Sequence, residues 1–468
     1  MRFHGISGMN RLPVRHLMRI LLCSALGLCG VQRSFSEPAH AEQEDYVREP
    51  MPQGFQVVPT EIEGPVFADA GGKTLYRWPY TALRNGSAGD PKGLSTCTAR
   101  VTTLSEGLFS PYPAGLVLPD LDKRPSCVAM WPPVLAPPGA QPVGNWGVIA
   151  RADGSKQWAY GGQALYTSTL DRRAGDVLGA TNQVRAGFTS VVWRFPVGPT
   201  PRIPPDFRVV TTFKGRLLVN ASGHSIYAYD KDLPDKSTCG GACLGLWVPV
   251  QAPALARRAD GEWSVIERAP GVLQWAFRHR PLYTYVRDTG IYSQDGSDVP
   301  GWRNVYTQQA PEPPKPFQFV DSAKGIVVAD AQGKTLYVYV CTDDSADQLY
   351  CDYPGASSVY RLAVCGGGDA ARCLKTWPYV LADANAKSDS RLWSVIQVET
   401  DSGRLAAVGE VGSLHVWAYR GRPVYTYAGD KDPGDIKGDM RGEVFGQRNG
   451  FMTMPARLVG FNLGDLRN

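Results

Sequence analysis

The chain reads as an all-β protein made of three tandem, disulfide-stapled β-rich modules joined by Pro-rich linkers. Three observations predict this. First, one phrase occurs three times: Phe-x-x-Val, then Gly-x7-Gly-x3-Tyr. It runs Phe55, Gly64, Gly72, Tyr76; then Phe207, Gly215, Gly223, Tyr227; then Phe317, Gly325, Gly333, Tyr337. Internal repeats set the architecture before any local reading does. Second, strand-length apolar runs are broken by Gly-containing turns, and few segments keep a 3.6-residue period. Third, Cys127, Cys243 and Cys373 each precede a Trp by four residues (Trp131, Trp247, Trp377).

The N-terminus reads as a signal peptide over residues 1–41. Arg11, Arg15, His16 and Arg19 precede an apolar run of 12 residues, 20–31, and Ala39-His40-Ala41 supplies an A-x-A cleavage site. The run is too short to cross a bilayer, and no later stretch approaches the necessary ~18 apolar residues. A mature chain without a transmembrane segment is expected, periplasmic or secreted. Cys23 and Cys29 follow Leu22 and Leu28. A lipid-modified cysteine follows a small residue, so a soluble exported form is expected over a lipid-anchored one.

The pI of 8.6 overstates the charge. The first 41 residues hold five Arg and one Glu, which leaves 44 basic and 43 acidic residues in the rest. That balance gives no electrostatic case for nucleic acid.

The remaining length suits about three domains. The repeats place them at 51–197, 206–308 and 316–440, with a C-terminal tail at 441–468. Pro-rich linkers at 196–206 and 310–316 separate them and predict semi-extended spacers, hence modules arranged as beads. A closed, propeller-like arrangement is the alternative.

A β-hairpin is predicted around Gly71-Gly72, joining Gly64–Ala70 to Lys73–Trp78, and another around Ser222-Gly223, joining Arg216–Asn220 to His224–Tyr229. The second half of each module starts at Trp146, Trp263 or Trp393, runs through Trp158, Trp275 or Trp417, and closes at Tyr166, Tyr283 or Tyr425. Long insertions at 81–124 and 342–364 are rich in Gly, Ser, Asp and Pro and read as surface loops.

Eight cysteines follow the signal peptide, an even number that suits an exported disulfide protein. The expected pairs are Cys97–Cys127, Cys239–Cys243, Cys365–Cys373 and Cys341–Cys351. No Cys-x2-Cys occurs and no His neighbours the cysteines, so the pattern does not suit a zinc site.

A second motif has the form Tyr-x-aromatic-x-x-Asp. It appears as Tyr227-Ala-Tyr229-Asp-Lys-Asp232, Tyr283-Thr-Tyr285-Val-Arg-Asp288 and Tyr425-Thr-Tyr427-Ala-Gly-Asp430. Together with Cys127…Trp131-Pro132-Pro133 and Trp158-Ala-Tyr160…Leu165-Tyr166, it resembles the bacterial secreted repeat of unknown function. That family is also described as predicted lipoproteins with a Yx(FWY)xxD motif. The resemblance covers nearly the whole chain after the signal peptide, in three copies. It implies export and a β-rich repeat, and no established catalytic activity. The chain departs from the motif in places: Tyr76-Arg-Trp78 is followed by Thr81 where the Asp belongs, Tyr166-Thr-Ser168 lacks the second aromatic but keeps Asp171, and Tyr337-Val-Tyr339 is followed by Thr342.

Residues i and i+2 on a strand share a face. The motif aromatics therefore read either as core, with Asp288 and its equivalents fixing a turn, or as an aromatic platform for a glycan, peptide or flat cofactor. Two acidic loops, Asp230/Asp232/Asp235 and Asp430/Asp432/Asp435 with Asp439 nearby, are weak calcium candidates, and no other cofactor is expected. The three histidines after the signal peptide, His224, His279 and His415, fall at non-equivalent repeat positions and in no catalytic motif. The expected function is a non-catalytic binding or structural component of the cell envelope, with a protein or glycan partner. The alternatives are an accessory subunit of a periplasmic redox system, drawing on 12 Trp and 21 Tyr, and a cell-wall or polysaccharide hydrolase.

Overall fold

A computed structural model describes residues 43–77, 97, 99, 127–180, 195–256, 259–323, 325–341, 365, 369–400, 405–407, 409–439, 441–442 and 449–454. The expected signal peptide, nearly all of both long insertions, Cys351 and the side chains of Cys127 and Cys341 lie outside them. The described part is built almost wholly of short antiparallel strands, and none of its sheets closes into a barrel.

Every module opens with a hairpin, but its turn lies at the first glycine of the phrase and not at the second, where the predicted turn is crossed by single bridges, Ala68 with Thr74, Val219 with Ser225 and Ala329 with Thr335. Gln56–Pro59 pairs with Pro65–Ala68, Phe207–Thr212 with Gly215–Asn220, and Gln318–Ser322 with Gly325–Ala329. The hairpin closes when Thr60, Thr212 or Ser322 donates its hydroxyl to the carbonyl of Gly64, Gly215 or Gly325, at 2.7, 2.9 and 2.6 Å. The second glycine of the phrase follows an Asx turn. Asp69, Asn220 and Asp330 each accept two backbone N–H bonds through Oδ1 at 2.9–3.0 Å. Gly72, Gly223 and Gly333 sit there at φ +82°, +89° and +82°. Left-handed backbone favours glycine, and this fixes the Gly-x7-Gly spacing.

The Phe that begins the phrase anchors this hairpin to the second half. Phe55, Phe207 and Phe317 lie 4.6, 4.7 and 4.8 Å from Trp146, Trp263 and Trp393. Each Trp opens a second hairpin: Trp146–Ala150 with Lys156–Tyr160, Trp263–Ala269 with Val272–Phe277, and Trp393–Val398 with Leu414–Tyr419. A tight turn follows at Gly161-Gly162, Arg278-His279 and Arg420-Gly421, with positive φ at both positions in each module. That is the turn whose twist matches a two-residue hairpin.

The chain then returns so that Tyr166, Tyr283 and Tyr425 pair with Tyr76, Tyr227 and Tyr337. A final strand, Phe195–Pro196, Trp302–Asn304 or Asn449–Thr453, lies on the other side of that first Tyr strand. The last of these falls in the 441–468 stretch read from sequence as a tail. It pairs along Tyr337–Cys341 inside a six-stranded sheet and carries the fully buried Phe451. No repeated turn precedes it, which is why the repeat pattern ends before it.

The disulfides Cys239–Cys243 and Cys365–Cys373 are formed, and Cys97 is disulfide-bonded. Cys97 and Cys239 are equivalent by their surroundings. Arg151 donates to the carbonyl of Cys97 and to Gln157 Oε1; Arg268 donates to the carbonyl of Cys239 and to Gln274 Oε1. Gln157 and Gln274 in turn donate to the carbonyls of Leu165 and Leu282. The third module replaces both polar partners with Val398 and Val416, each fully buried.

The linkers do not hold the modules apart as beads. Glu61 of the first hairpin accepts from the Ser390 hydroxyl and from the backbone of Arg391 and Leu392 in the third module. Glu63 pairs with Arg420, which also donates to the carbonyl of Val177. Ile62 and Val177 are buried in one core cluster with Phe317, Leu392 and Tyr419. The second module adds Phe213, 5.1 Å from the Tyr419 ring, and Lys214 over the Phe319 ring. The segment before the first module crosses to the second, where buried Glu44 receives Arg216 at 2.8 Å and the Thr307 hydroxyl. Polar side chains at the hairpin tips thus find their partners on neighbouring modules, and this draws the repeats together.

Candidate functional site

The repeated motif assembles the same site in each module. Tyr76, Tyr227 and Tyr337 point into the core and donate their phenol O–H to Asp171, Asp288 and Asp430 at 2.6, 2.8 and 2.6 Å. The motif Asp therefore does more than fix its own turn: it receives the tyrosine of the other half of the module. In the second module the exchange is mutual, because Tyr283 also donates to Asp232 at 2.7 Å. Asp232 is the acidic residue that the first halves of the other two modules lack. The second module carries both motif aspartates and forms both bonds.

Burial governs the electrostatics. It pushes Asp171 up to about 7 and Asp288 up to about 6, and it raises Asp430, against the pull of the phenol and of backbone N–H groups. It also raises Tyr76, Tyr227 and Tyr337 above the ordinary phenol value, with the adjacent carboxylate adding to the effect. Each phenol stays protonated and donates. Backbone N–H groups of Leu178 and Lys437 occupy the other oxygens of Asp171 and Asp430. The geometry is that of a fixed internal hydrogen bond.

The second aromatics of the motif form stacks. Tyr285 lies 4.4 Å from Trp247, Trp247 lies 3.6 Å from Trp302 at an interplanar angle of 5°, and Trp302 lies 4.4 Å from Tyr229. In the third module Trp377 stacks on Phe451 at 3.7 Å, with Tyr427 tilted against Trp377 and Tyr339 edge-on to Phe451. The inner faces are consumed by one another, and Trp247 and Trp302 are buried. The open aromatic platform read from sequence becomes a closed stack whose end rings, Tyr229 and Tyr285, are half-buried.

The carboxylates of the two acidic loops turn to separate partners. Asp230 faces Arg303 at 3.1 Å, Asp232 takes the Thr238 N–H and the Tyr283 phenol, and Asp235 takes His279 Nδ1 and the Ser264 hydroxyl. Asp430 holds Tyr337. Asp435 accepts from the backbone of Lys431 and Asp432 and from Lys437, which together hold it down at about 2. Asp432 is exposed on the same loop, and Asp439 accepts from Thr453. Among the described residues no group of three His, Cys, Asp or Glu side chains is placed to hold a metal ion. The histidines are dispersed: His279 with Asp235, His415 against Gln397, and His224 in the Asx turn of Asn220.

The sequence did not reveal the pairing of tyrosine with aspartate across the two halves. The available signal was the six-fold recurrence of Tyr, which hinted at paired half-units. No helix among the described residues is long and apolar enough to cross a membrane.

A family model described as a secreted repeat of unknown function matches residues 208–251 and 409–444. The first segment spans the opening hairpin of the second module through Tyr227, Asp232 and Trp247. The second spans the closing hairpin strand of the third module through Tyr425 and Asp430. Both run from a strand through a tight turn into Tyr-x-Tyr-x-x-Asp. No curated protein and no solved structure matches the chain. At these two segments the chain is similar to a family of secreted repeats of unknown function.

Proposed function

We propose that this chain is an exported, non-catalytic scaffold that binds a partner in the cell envelope. One observation carries the reading: the polar atoms of the recurring motif are spent inside the modules, on one another and on backbone. A motif used in this way builds a framework, and specificity then rests on what differs between modules. Those differences are the long insertions of modules one and three and the surfaces where modules meet. Periplasmic delivery by the signal peptide belongs to the same reading. The test is affinity capture of the full mature chain from chemically crosslinked envelopes. A stoichiometric protein or glycan partner is expected. Turnover of peptidoglycan or polysaccharide by the purified protein, abolished by substituting a single surface carboxylate, sinks the reading.

The four-ring stack Tyr285–Trp247–Trp302–Tyr229 favours a second reading, an accessory role in electron transfer. Rings at these separations offer a path for oxidising equivalents. Visible absorbance from a co-purifying chromophore supports it, and a colourless protein with no redox-active partner removes it.

A further inference from the structure

A cavity of about 350 Å³ lies between the second and third modules, walled on one side by the linker from Ala310 to Pro313. That is near the lower end of the range for small-molecule sites, ~300–1,000 Å³. Its lining is where the second module departs from its sisters. Gly179, Gly296 and Gly438 are equivalent, since a Cβ on any of them would meet Cη2 of Trp131, Trp247 or Trp377 at 2.7–2.8 Å. Two residues earlier stand Val177, Gln294 and Ile436. On the final strand, the residue opposite Arg77 is Phe195 and that opposite Val338 is Met452, whereas that opposite Ala228 is Arg303. The next residues are Pro196, Thr453 and Asn304. Only the second module places an amide, a guanidinium and a second amide at these three positions, and all three line the cavity.

A polar side chain in a core position that sister repeats fill with Val and Ile costs stability unless it has a partner. Gln294 is 1% exposed, its Oε1 accepts from the Tyr306 hydroxyl at 3.2 Å and its Nε2 finds no partner, while Asn304 reaches the Tyr227 phenol. Folding alone does not account for the Gln294 amide, since two sister modules fold with Val177 and Ile436 at its position.

We propose that this cavity binds a neutral saccharide of one or two sugar units. Charge argues for neutrality: Lys214 and Arg303 are offset by Asp298 and Glu312 in the same wall. A sugar hydroxyl is both donor and acceptor. A wall of alternating amides, carboxylates and cations, with Gln309 at its exposed rim, matches vicinal hydroxyls better than it matches an anion or an apolar body. Phe213 and Phe319 supply the apolar surface on which the C–H face of a sugar ring packs. The inference rests on the binding reading above and names a site and a ligand class for it.

The test is isothermal titration of the full mature chain with maltose, cellobiose and N,N′-diacetylchitobiose. One saturable site for at least one of the three is expected. Gln294→Ile with Arg303→Met installs the third module's own residues. Arg303 and Asp230 are both half-exposed, so losing that pair costs little. The double variant is expected to bind about tenfold more weakly or worse, a change of ~1.4 kcal/mol, with its melting temperature kept. Should it misfold, Lys214→Ala with Gln309→Ala reads the same wall from the rim and is expected to give the same loss. No binding of any of the three sugars, or undiminished binding in a folded variant, overturns the assignment. Envelope capture of a protein partner in the absence of sugar binding overturns this site while leaving the scaffold reading standing.

Discussion

Asp171 is only 2% exposed, and it holds the Tyr76 phenol on one oxygen and the Leu178 N–H on the other. Its folded-state value of about 7 lies above the ordinary 3.8. A carboxyl raised on folding contributes stability that is full below about pH 4 and is lost as pH rises towards 7. Asp171→Asn keeps the shape and removes the titration. Its cost in urea unfolding is therefore expected to be larger at pH 4 than at pH 8, by up to ~4 kcal/mol at ~1.4 kcal/mol per pH unit. An equal cost at both pH values would show that burial does not raise this carboxyl. Tyr337→Phe tests the same bond from the donor side. It leaves Asp430 without its phenol and is expected to cost ~1–3 kcal/mol. The motif aspartates were legible as repeated residues, and their turns were legible from the Gly and Pro beside them. Their partners were not, because Tyr76 and Asp171 stand 95 residues apart. A strand period says which sequence neighbours share a face. It is silent on which distant strand lies opposite.

The turns at Gly72, Gly223 and Gly333 were the most legible features, since a positive φ called for glycine there, although the opening hairpin itself turns one glycine earlier. What the sequence hid was the use of Gln157 and Gln274. As strand residues before Trp they look ordinary, yet each links an Arg to a carbonyl inside the core. The third module shows the apolar solution, Val398 with Val416. The two changes belong together: either polar residue alone leaves the other one hydrogen bond short. Arg268→Val strands Gln274 Oε1 and the Cys239 carbonyl at ~1–3 kcal/mol, and Gln274→Val takes one acceptor from Arg268, which keeps Ser237 and the Cys239 carbonyl, at ~1 kcal/mol. The double variant is expected to cost less than the sum of the singles by ~1 kcal/mol or more. Urea unfolding of all four proteins in the cycle measures this. Strict additivity would mean that the pair is not one unit. The final strand Asn449–Thr453 shows the opposite difficulty. It had no turn signal of its own, and it became an element only by pairing with Tyr337–Cys341.

At the scale of the molecule, Pro-rich linkers predict separate beads, yet the modules pack against one another for a definite reason. Linker composition reports stiffness, and it carries no information on whether the modules it joins are complementary. The complementarity lies in short tips. Glu61, Ile62 and Glu63 sit at the end of the first hairpin, where a single module leaves them without use. They seat against Ser390, Arg391 and Arg420 of the third module. Arg420 is itself 4% exposed and occupies the tight turn that is Gly161-Gly162 in the first module. A non-glycine at positive φ in a buried turn is kept for what its side chain reaches, here Glu63 and the carbonyl of Val177. Removing one member of such a buried pair leaves the other charge uncompensated, at ~3–5 kcal/mol. Arg420→Met should therefore act on the joint between modules one and three and leave the interior of each module intact. In scanning calorimetry the wild type is expected to unfold with modules one and three in one transition, because Ile62 and Val177 share their core with Phe317 and Leu392. The variant is expected to split that transition, with hydrogen exchange rising first at the backbone of Arg391 and Leu392. Glu63→Gln in the Arg420→Met background removes the stranded charge and should recover part of the loss. A uniform fall in one unsplit transition, with no recovery, would place the cost inside the third module and leave the joint to apolar packing alone.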